Sequence, residues 1–481
     1  MIRDAEAPAE VPLPMNKVAI VASALLAIVL LALPGVVGSI TEARVRERVA
    51  AIDASANADA ELTSFDRGWL RSTARIELTL APDNVARLAA ASGTPLGVFG
   101  TLPIVVELAH GPVALRNGVR FAWSTLVARP DMEAPGVAEL TRTLGVPYLF
   151  EFRGSTAYLC GLQFDADAPP FELPIDEALL TFSGGTLAGS LAGRQLDADA
   201  QIGSLAFTSP TGTFAVRGLS ASADNELRSQ YVMPGETSFT VASMSMAYPS
   251  QNAAPMFEVS NLKMLSDVGI DAAGELLEMR VTYDIDTLRL EDNEVTAGSL
   301  GVMVRNLDVA TVEAYSAAVT EAATRADAAT LAASFGPLLE RALKAGPSLT
   351  LEPIRFRYDG EPFDGRIEVT TRPDQLPPAG TLTLDNPLMM LGLVNAKADL
   401  RLSKTLAGQL ATLGARMQLG SDPTIPPDQL EYMVEAQSGL MLTMLVGQGV
   451  LIEDGEGYRT AVDYTDGSFT LNGSPLPFGL Q

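Results

Sequence analysis

From Val18 to Val37 the chain carries no charged side chain, and apart from Ser23, Pro34 and Gly35 it is built only of Val, Ala, Ile and Leu. About twenty residues at ~1.5 Å each are long enough to cross a hydrocarbon core of about 30 Å. No polar face can be drawn on this stretch, as a helix lying on a soluble core would require. The reading is a transmembrane anchor over 18–38, preceded by a cytoplasmic tail over 1–17 that carries Arg3 and Lys17. Arg44, Arg46 and Arg48 beyond the far end weaken the positive-inside argument, but long domains translocate largely regardless of charge. A cleaved signal peptide is the competing reading, because Val36-Val37-Gly38 offers small residues ahead of Ser39.

Everything after the anchor is then expected outside the cytoplasm, and it is large. The 481 residues exceed what one core usually organises, and 47% hydrophobic against 19% charged residues is the composition of a folding chain. A net charge of −25 repels nucleic acid and disfavours broad adhesion to anionic headgroups, so membrane contact is expected to come from apolar insertion. The single cysteine, Cys160, excludes an intramolecular disulfide and reads as a buried thiol.

A stalk helix is expected over 39–60, with Val45, Val49 and Ile52 on one face. From Ile76 the pattern changes to a period of two, with Leu78 and Leu80 alternating with Glu77 and Thr79. Alternation returns around 103–108, 119–127, 149–164, 179–191 and 213–219. The turn signals between them, His110-Gly111-Pro112, Arg116-Asn117-Gly118 and Ser183-Gly184-Gly185, favour antiparallel hairpins. Two strands change face midway, Phe239 and Val241 giving way to Met244 and Met246, and Val281, Tyr283 and Ile285 giving way to Leu288 and Leu290; each flip suggests a β-bulge. Val216-Arg217-Gly218-Leu219, Val259-Ser260-Asn261-Leu262 and Val304-Arg305-Asn306-Leu307 form a weak repeat about every 44 residues.

A β-rich body is thus expected over 61–310 and a helical segment over 311–346, broken or kinked at Gly336-Pro337. A C-terminal α+β region follows over 347–481, with strands at 354–358 and 366–370, helices near 406–413 and 429–445, and a final hairpin turning at Asp466-Gly467. The fold class is α+β and β-dominated: an N-terminal transmembrane helix, then an elongated, curved, mostly antiparallel sheet body with a few packed helices.

Three segments resemble one known family: Phe65-Asp66-Arg67-Gly68-Trp69-Leu70-Arg71-Ser72 beyond the anchor, Leu108-Ala109-His110-Gly111-Pro112 after the next strand, and Tyr464-Thr465-Asp466-Gly467 through Asn472-Gly473 near the end. They look like the YdgA-like family of bacterial proteins, DUF945. The resemblance implies an inner-membrane-anchored envelope protein with its body in the periplasm, and it supplies no catalytic or ligand residues. The motif residues to place are Arg67, Gly68, Trp69, Ser72, His110, Gly111, Pro112, Tyr464, Asp466, Gly467, Asn472 and Gly473.

His110 is the sole histidine, which excludes histidine-rich zinc sites and leaves a Ser-His-Asp triad dependent on one turn residue. The acid pairs Asp165/Asp167, Asp197/Asp199 and Asp284/Asp286 lie two apart, and without an Asp-x-Asp-x-Asp-Gly loop they read as solvated strand faces rather than calcium ligands. Phosphate-loop spacings are missing, so no cofactor is expected. Three functional readings stay open: a non-enzymatic protein that binds or guides lipid or another apolar client on a curved sheet, a scaffold or homodimer binding other envelope proteins, and a carboxylate-only hydrolase.

Overall fold

The computed structural model describes residues 42–43, 45–47, 49–50, 58–68, 70–80, 101–110, 124–156, 161–229, 231–248, 255–291, 293–325, 328–378, 382, 391–419 and 427–475. The apolar stretch 18–38, Trp69, Gly111-Pro112, Arg116-Asn117-Gly118 and Cys160 lie outside the described residues. The chain divides into two compact units, Met1–Ala138 with Phe150–Phe164, and Glu139–Leu149 with Asp165–Gln481.

The first unit is an antiparallel meander of β1 (Ala58–Arg67), β2 (Arg71–Leu80), β3 (Thr101–His110), β4 (Ser124–Pro130) and β5 (Glu151–Thr156), each paired with its successor. Ala58 to Ala60 are strand, not the last turn of a stalk helix as the sequence suggested; Ala60 is buried opposite Leu78. Alternation sets one apolar face. Ala74 pairs with Val106, which pairs with Ala128, and Phe152 continues the row and stacks on Phe164 at 6.1 Å. Such cross-strand contacts each contribute roughly 0.2–1 kcal/mol.

Between β4 and β5 the chain forms α1 (Pro135–Leu144), a helix inside the stretch expected to be β-rich. Its apolar signal, Val137, Leu140 and Leu144, is only one repeat long. Gly145 at φ 66° closes it, its N–H donating to the Arg142 carbonyl, because a left-handed residue without a Cβ ends a helix at little steric cost.

The second unit contains a long antiparallel meander. After β6 (Gly161–Ala168) come β7 (Phe171–Ile175), β8 (Ala178–Phe182), β9 (Gly185–Ala192), β10 (Gln195–Ser209), β11 (Gly212–Glu226), β12 (Gly235–Ala247), β13 (Phe257–Ile270), β14 (Leu276–Leu290) and β15 (Asn293–Asp308). Helices α2 (Val309–Arg325) and α3 (Ala328–Lys344) follow, then β16 (Ser348–Tyr358), β17 (Glu361–Thr371) and β18 (Val394–Ser403). Next are α4 (Lys404–Leu419), α5 (Pro427–Gly447), β19 (Ile452–Asp454), β20 (Gly457–Thr465), β21 (Ser468–Leu471) and β22 (Ser474–Pro475). From β10 to β18 every strand pairs antiparallel with the next, and β20 then pairs with β18. Helix α3 runs through Gly336-Pro337 without a break. A small core forms where α2 begins, from Val232, Leu277 and Val309.

The two face changes seen in the sequence are real, but they are not isolated bulges. Neither the β11–β12 nor the β12–β13 pairing shifts register at Val241 to Met244, because the neighbours change face at the same place. Ile202 pairs with Leu219, Leu219 with Val241 and Val241 with Leu262; on the other side Leu205 pairs with Val216, Val216 with Met244, Met244 with Val259, Val259 with Leu288 and Leu288 with Val295. In each of β10 to β14 two residues separate the apolar positions at this line, where strict alternation would place one, and in β15 two residues likewise separate Val295 from Gly298, which pairs with Ile285. The result is a crease crossing six strands. Gly218, Asn261 and Ala297 on alternate strands adopt left-handed backbone there, with φ of 62°, 50° and 49°.

The crease ends differently on its two sides. Toward β16 it resolves into a true bulge, the register shifting between Thr296 and Ser299 so that two residues of β15 oppose Phe356 alone. Accordingly Ile354, Phe356 and Tyr358 alternate strictly. Toward the other edge, Ser183-Gly184 is not a hairpin turn, contrary to the sequence expectation: β8 and β9 both lie antiparallel along β10, interrupted at the crease. Ser183 accepts from the Ser204 N–H at 2.5 Å to close the gap.

Candidate functional site

The crease decides which side chains share a face. Because every strand inserts its extra residue together, Leu, Val, Ile, Met, Phe and Tyr stay on one side of β10–β16 both above and below it. One row runs Ala221, Phe239, Met264, Tyr283, Leu300, Ile354; another runs Phe207, Phe214, Met246, Phe257, Leu290. The large apolar side chains left exposed in these strands, Ile202, Leu205, Phe214, Tyr283, Leu290, Leu300 and Leu349, all belong to this side, Leu290 being 54% exposed and Tyr283 40%. Large apolar side chains left exposed together in this way make this side the candidate site.

The opposite side is polar and paired. Arg289 bridges Glu258 at 3.1 Å and Glu294 at 2.8 Å, Arg355 meets Asp364 at 2.8 Å, and Arg366 meets Glu352 at 3.3 Å and Glu368 at 3.1 Å. Farther along, an open depression of about 510 Å³ is lined by Arg366, Lys397, Asp399 and Asp463. The Arg459 guanidinium holds the Asp399 carboxyl below the usual carboxylate range, and Lys397 lies 3.5 Å from Asp463. Held ionised in this way, Asp399 is poorly suited to donate a proton as a general acid. Asp197, Asp199, Asp284 and Asp286 are exposed, and Asp286 accepts from Asn261 at 2.6 Å across the crease.

The C-terminal motif residues build two consecutive two-residue hairpins. Asp466-Gly467 joins β20 to β21 with φ of 53° and 77°, and Asn472-Gly473 joins β21 to β22 with φ of 51° and 77°. Both residues of each pair have positive φ, the geometry of the primed turns that match strand twist, which is why Asp-Gly and Asn-Gly stand there. Asn472 does more than turn the chain. Its Oδ1 accepts from the Ala461 N–H at 2.6 Å, and its Nδ2 donates to the carbonyls of Gly449 at 2.7 Å and Val450 at 3.1 Å, just past α5. Tyr464 is buried in the sheet beside Ala396 and Phe469, its hydroxyl without a partner among the described residues.

In the first unit the two N-terminal motif segments meet. Ser72 and His110 are buried, their Oγ and Nε2 2.7 Å apart, and the His110 backbone N–H donates to the Leu70 carbonyl. His110 is the last residue of β3 rather than a residue of a tight turn. Burial lowers its pKa, so the imidazole is held neutral, and its Nδ1 has no partner among the described residues. Gly68 sits against the Arg71 carbonyl so closely that any Cβ would collide with it. Arg67 reaches to within 3.9 Å of Glu42.

None of the residues on this apolar side, Tyr283, Leu290 and Leu300 among them, belongs to the family motifs. The signal for Tyr283 and Leu290 lies in the face change of β12 and β14, which recurs at the equivalent place in β10, β11 and β13.

The architecture defines a class before it defines a name: a β-dominated α+β protein with a large antiparallel sheet, apolar on one side and ion-paired on the other. The chain belongs to DUF945, a family described as bacterial protein of unknown function, whose model matches residues 15–478 and so includes the apolar N-terminal stretch. No curated protein matches the chain, and no solved structure does.

Proposed function

We propose that this chain is a non-enzymatic envelope protein, anchored in the inner membrane by residues 18–38 with its body in the periplasm, and that the apolar side of β10–β16 holds lipid acyl chains. The observation that carries this reading is the exposed apolar surface kept continuous across a six-strand crease. Bulged and creased strands bend a sheet, which favours a curved surface over a flat one. Six inter-strand gaps of ~4.8 Å between β10 and β16 give the apolar side a length of about 29 Å, more than the roughly 15 Å of one bilayer leaflet's hydrocarbon.

Acyl chains suit this surface better than a polypeptide does. The rows offer almost no hydrogen-bonding groups, so a client backbone laid on them would lose water without replacement at a cost of about 1–3 kcal/mol per unpaired group. A methylene gains about 0.8 kcal/mol when fully buried, and several in contact suffice for reversible binding. No helix among the described residues is long and apolar enough to cross a membrane, and residues 18–38 lie outside them. The anchor therefore rests on the sequence.

A photoreactive amino acid at Tyr283, compared with one at its neighbour Thr282 on the ion-paired side, tests the reading in cells producing the full chain. Lipid adducts from position 283 and none from 282 are expected. Protein adducts alone from 283, or equal lipid capture at both positions, would overturn it.

A further inference from the structure

Helix α5 is apolar nearly all round in its second half. From Ala436 to Ile452 the sequence has no charged residue, yet Leu440 is 70% exposed and Met444 49%. Its partner α4 packs against β17, β18 and β20 and against α5, burying Leu406, Ala407, Ala411 and Ala415, and leaves Leu413 and Met417 outward, Met417 at 73%. A helix with apolar residues on every side is stable when something besides water covers it, either a protein core or a membrane.

We infer that the α4–α5 hairpin dips its outward face, Leu410, Leu413, Met417, Leu440 and Met444, into the surface of the bilayer that holds the chain's own anchor. Two observations favour lipid over a second protein surface. In a chain of net charge −25 this face is uncharged: Arg416 and Glu431 neutralise each other at 2.8 Å, and the exposed Glu435 lies about 140° round the helix from Leu440 at ~100° per residue. Such a face enters a neutral bilayer by apolar insertion, with no need of anionic headgroups. Tyr432, 77% exposed next to that ion pair, has the ring and hydroxyl that favour the level of the headgroups.

The anchor supplies the remaining term. Tethering makes docking intramolecular, so a weak insertion that would fail for a free protein becomes populated. The inference rests on the proposed acyl-chain site and extends it: the hairpin packs on β17, β18 and β20, and its dipping would bring that end of the sheet against the bilayer from which lipid enters.

The test uses the full chain reconstituted in phosphatidylcholine vesicles, with Leu440→Cys labelled by an environment-sensitive fluorophore in a Cys160→Ser background. Asp284→Cys, exposed on the ion-paired side, is the control. Lipids spin-labelled on their acyl chains should quench the probe at 440 several-fold more than the probe at 284, and adding Met417→Glu should reduce that difference. An unquenched probe in an aqueous environment would overturn the inference. So would a probe shielded without quenching whose signal grows with protein density, since a second copy would then cover the face. Lipid adducts from position 283 with no quenching at 440 would sink this inference alone, whereas quenching at 440 without such adducts would sink only the acyl-chain site.

Discussion

Asn472 offers the sharpest test of how the C-terminal part of the second unit is held. Its side chain makes three partly buried hydrogen bonds, two of them to the carbonyls of Gly449 and Val450 that follow α5, and its backbone stands at φ 51°. Gly449 at φ 71° closes the helix by donating to the Val446 carbonyl, and Asn472 supplies donors to the carbonyls beyond it. Asn472→Gly keeps the backbone geometry and removes the three bonds, a loss of about 3 kcal/mol at ~1 kcal/mol each. Asn472→Ala adds the left-handed penalty of about 1 kcal/mol for a residue with a Cβ, for about 4 kcal/mol in all. Asn472→Asp keeps the acceptor but sets a carboxylate against two carbonyls, and should cost about as much as the glycine. Two compact units do not guarantee one cooperative transition, so the assay is native-state hydrogen exchange at the Ala461 amide together with the urea midpoint. A loss below about 1 kcal/mol for Asn472→Ala, or a glycine variant worse than the alanine one, would refute the reasoning.

Gly218→Ala should destabilise the second unit by about 2 kcal/mol, since it places a Cβ at φ 62° and 2.6 Å from the Ala242 Cβ; adding Ala242→Gly should recover the steric part in urea unfolding. His110 is neutral when buried and its ordinary pKa is 6.5, so at neutral pH and above it imposes no proton-linked cost. As pH falls below about 6.5 the unfolded state takes up the proton first, and stability of the first unit drops until the lowered folded pKa is passed. His110→Gln should flatten that slope in a pH series of melting curves. The Asp399–Arg459 pair, though bidentate, is more than a third exposed, and Asp399→Asn should cost no more than about 1 kcal/mol at neutral pH. Its contribution is present above the ordinary carboxylate pKa and is lost as acid protonates Asp399, so wild type and variant should converge at low pH.

Strand content and antiparallel pairing were legible in the sequence because period-two alternation is local. The helices after Asp308 and the Asp466-Gly467 hairpin were legible for the same reason, their signals lying within one element. What escaped depends on neighbours. Alternation in Val394–Ser403 is present but weak, no strand is expected there from the sequence, and it is the partners β17 and β20 that make it a central strand. The weak repeat carried a meaning its spacing did not disclose: Gly218, Asn261 and Asn306 all have positive φ, and glycine and asparagine are the residues that tolerate it. Only the first two lie on the crease. Asn306 belongs to a separate bulge, where the β14–β15 register shifts between Leu277 and Met279. The meeting of Ser72 with His110 is a tertiary fact between residues 38 positions apart, and no local pattern encodes it.

The crease also bears on why the apolar side exists. A single strand with one extra residue would turn its later side chains to the other side, and its neighbours would then oppose apolar residues with charged ones. Six strands with the extra residue at one line avoid that conflict, and the sheet crosses the line with both of its characters intact. The arrangement asks for left-handed backbone at Gly218, Asn261 and Ala297, and for an alanine that conformation is unfavourable by about 1–2 kcal/mol. Packing of the usual kind would compensate by burying the apolar side, yet Tyr283, Leu290 and Leu300 remain open to the outside. Strain retained around a surface that stays uncovered is the pattern expected of a site shaped for a ligand, and it is on that surface that the acyl-chain reading stands.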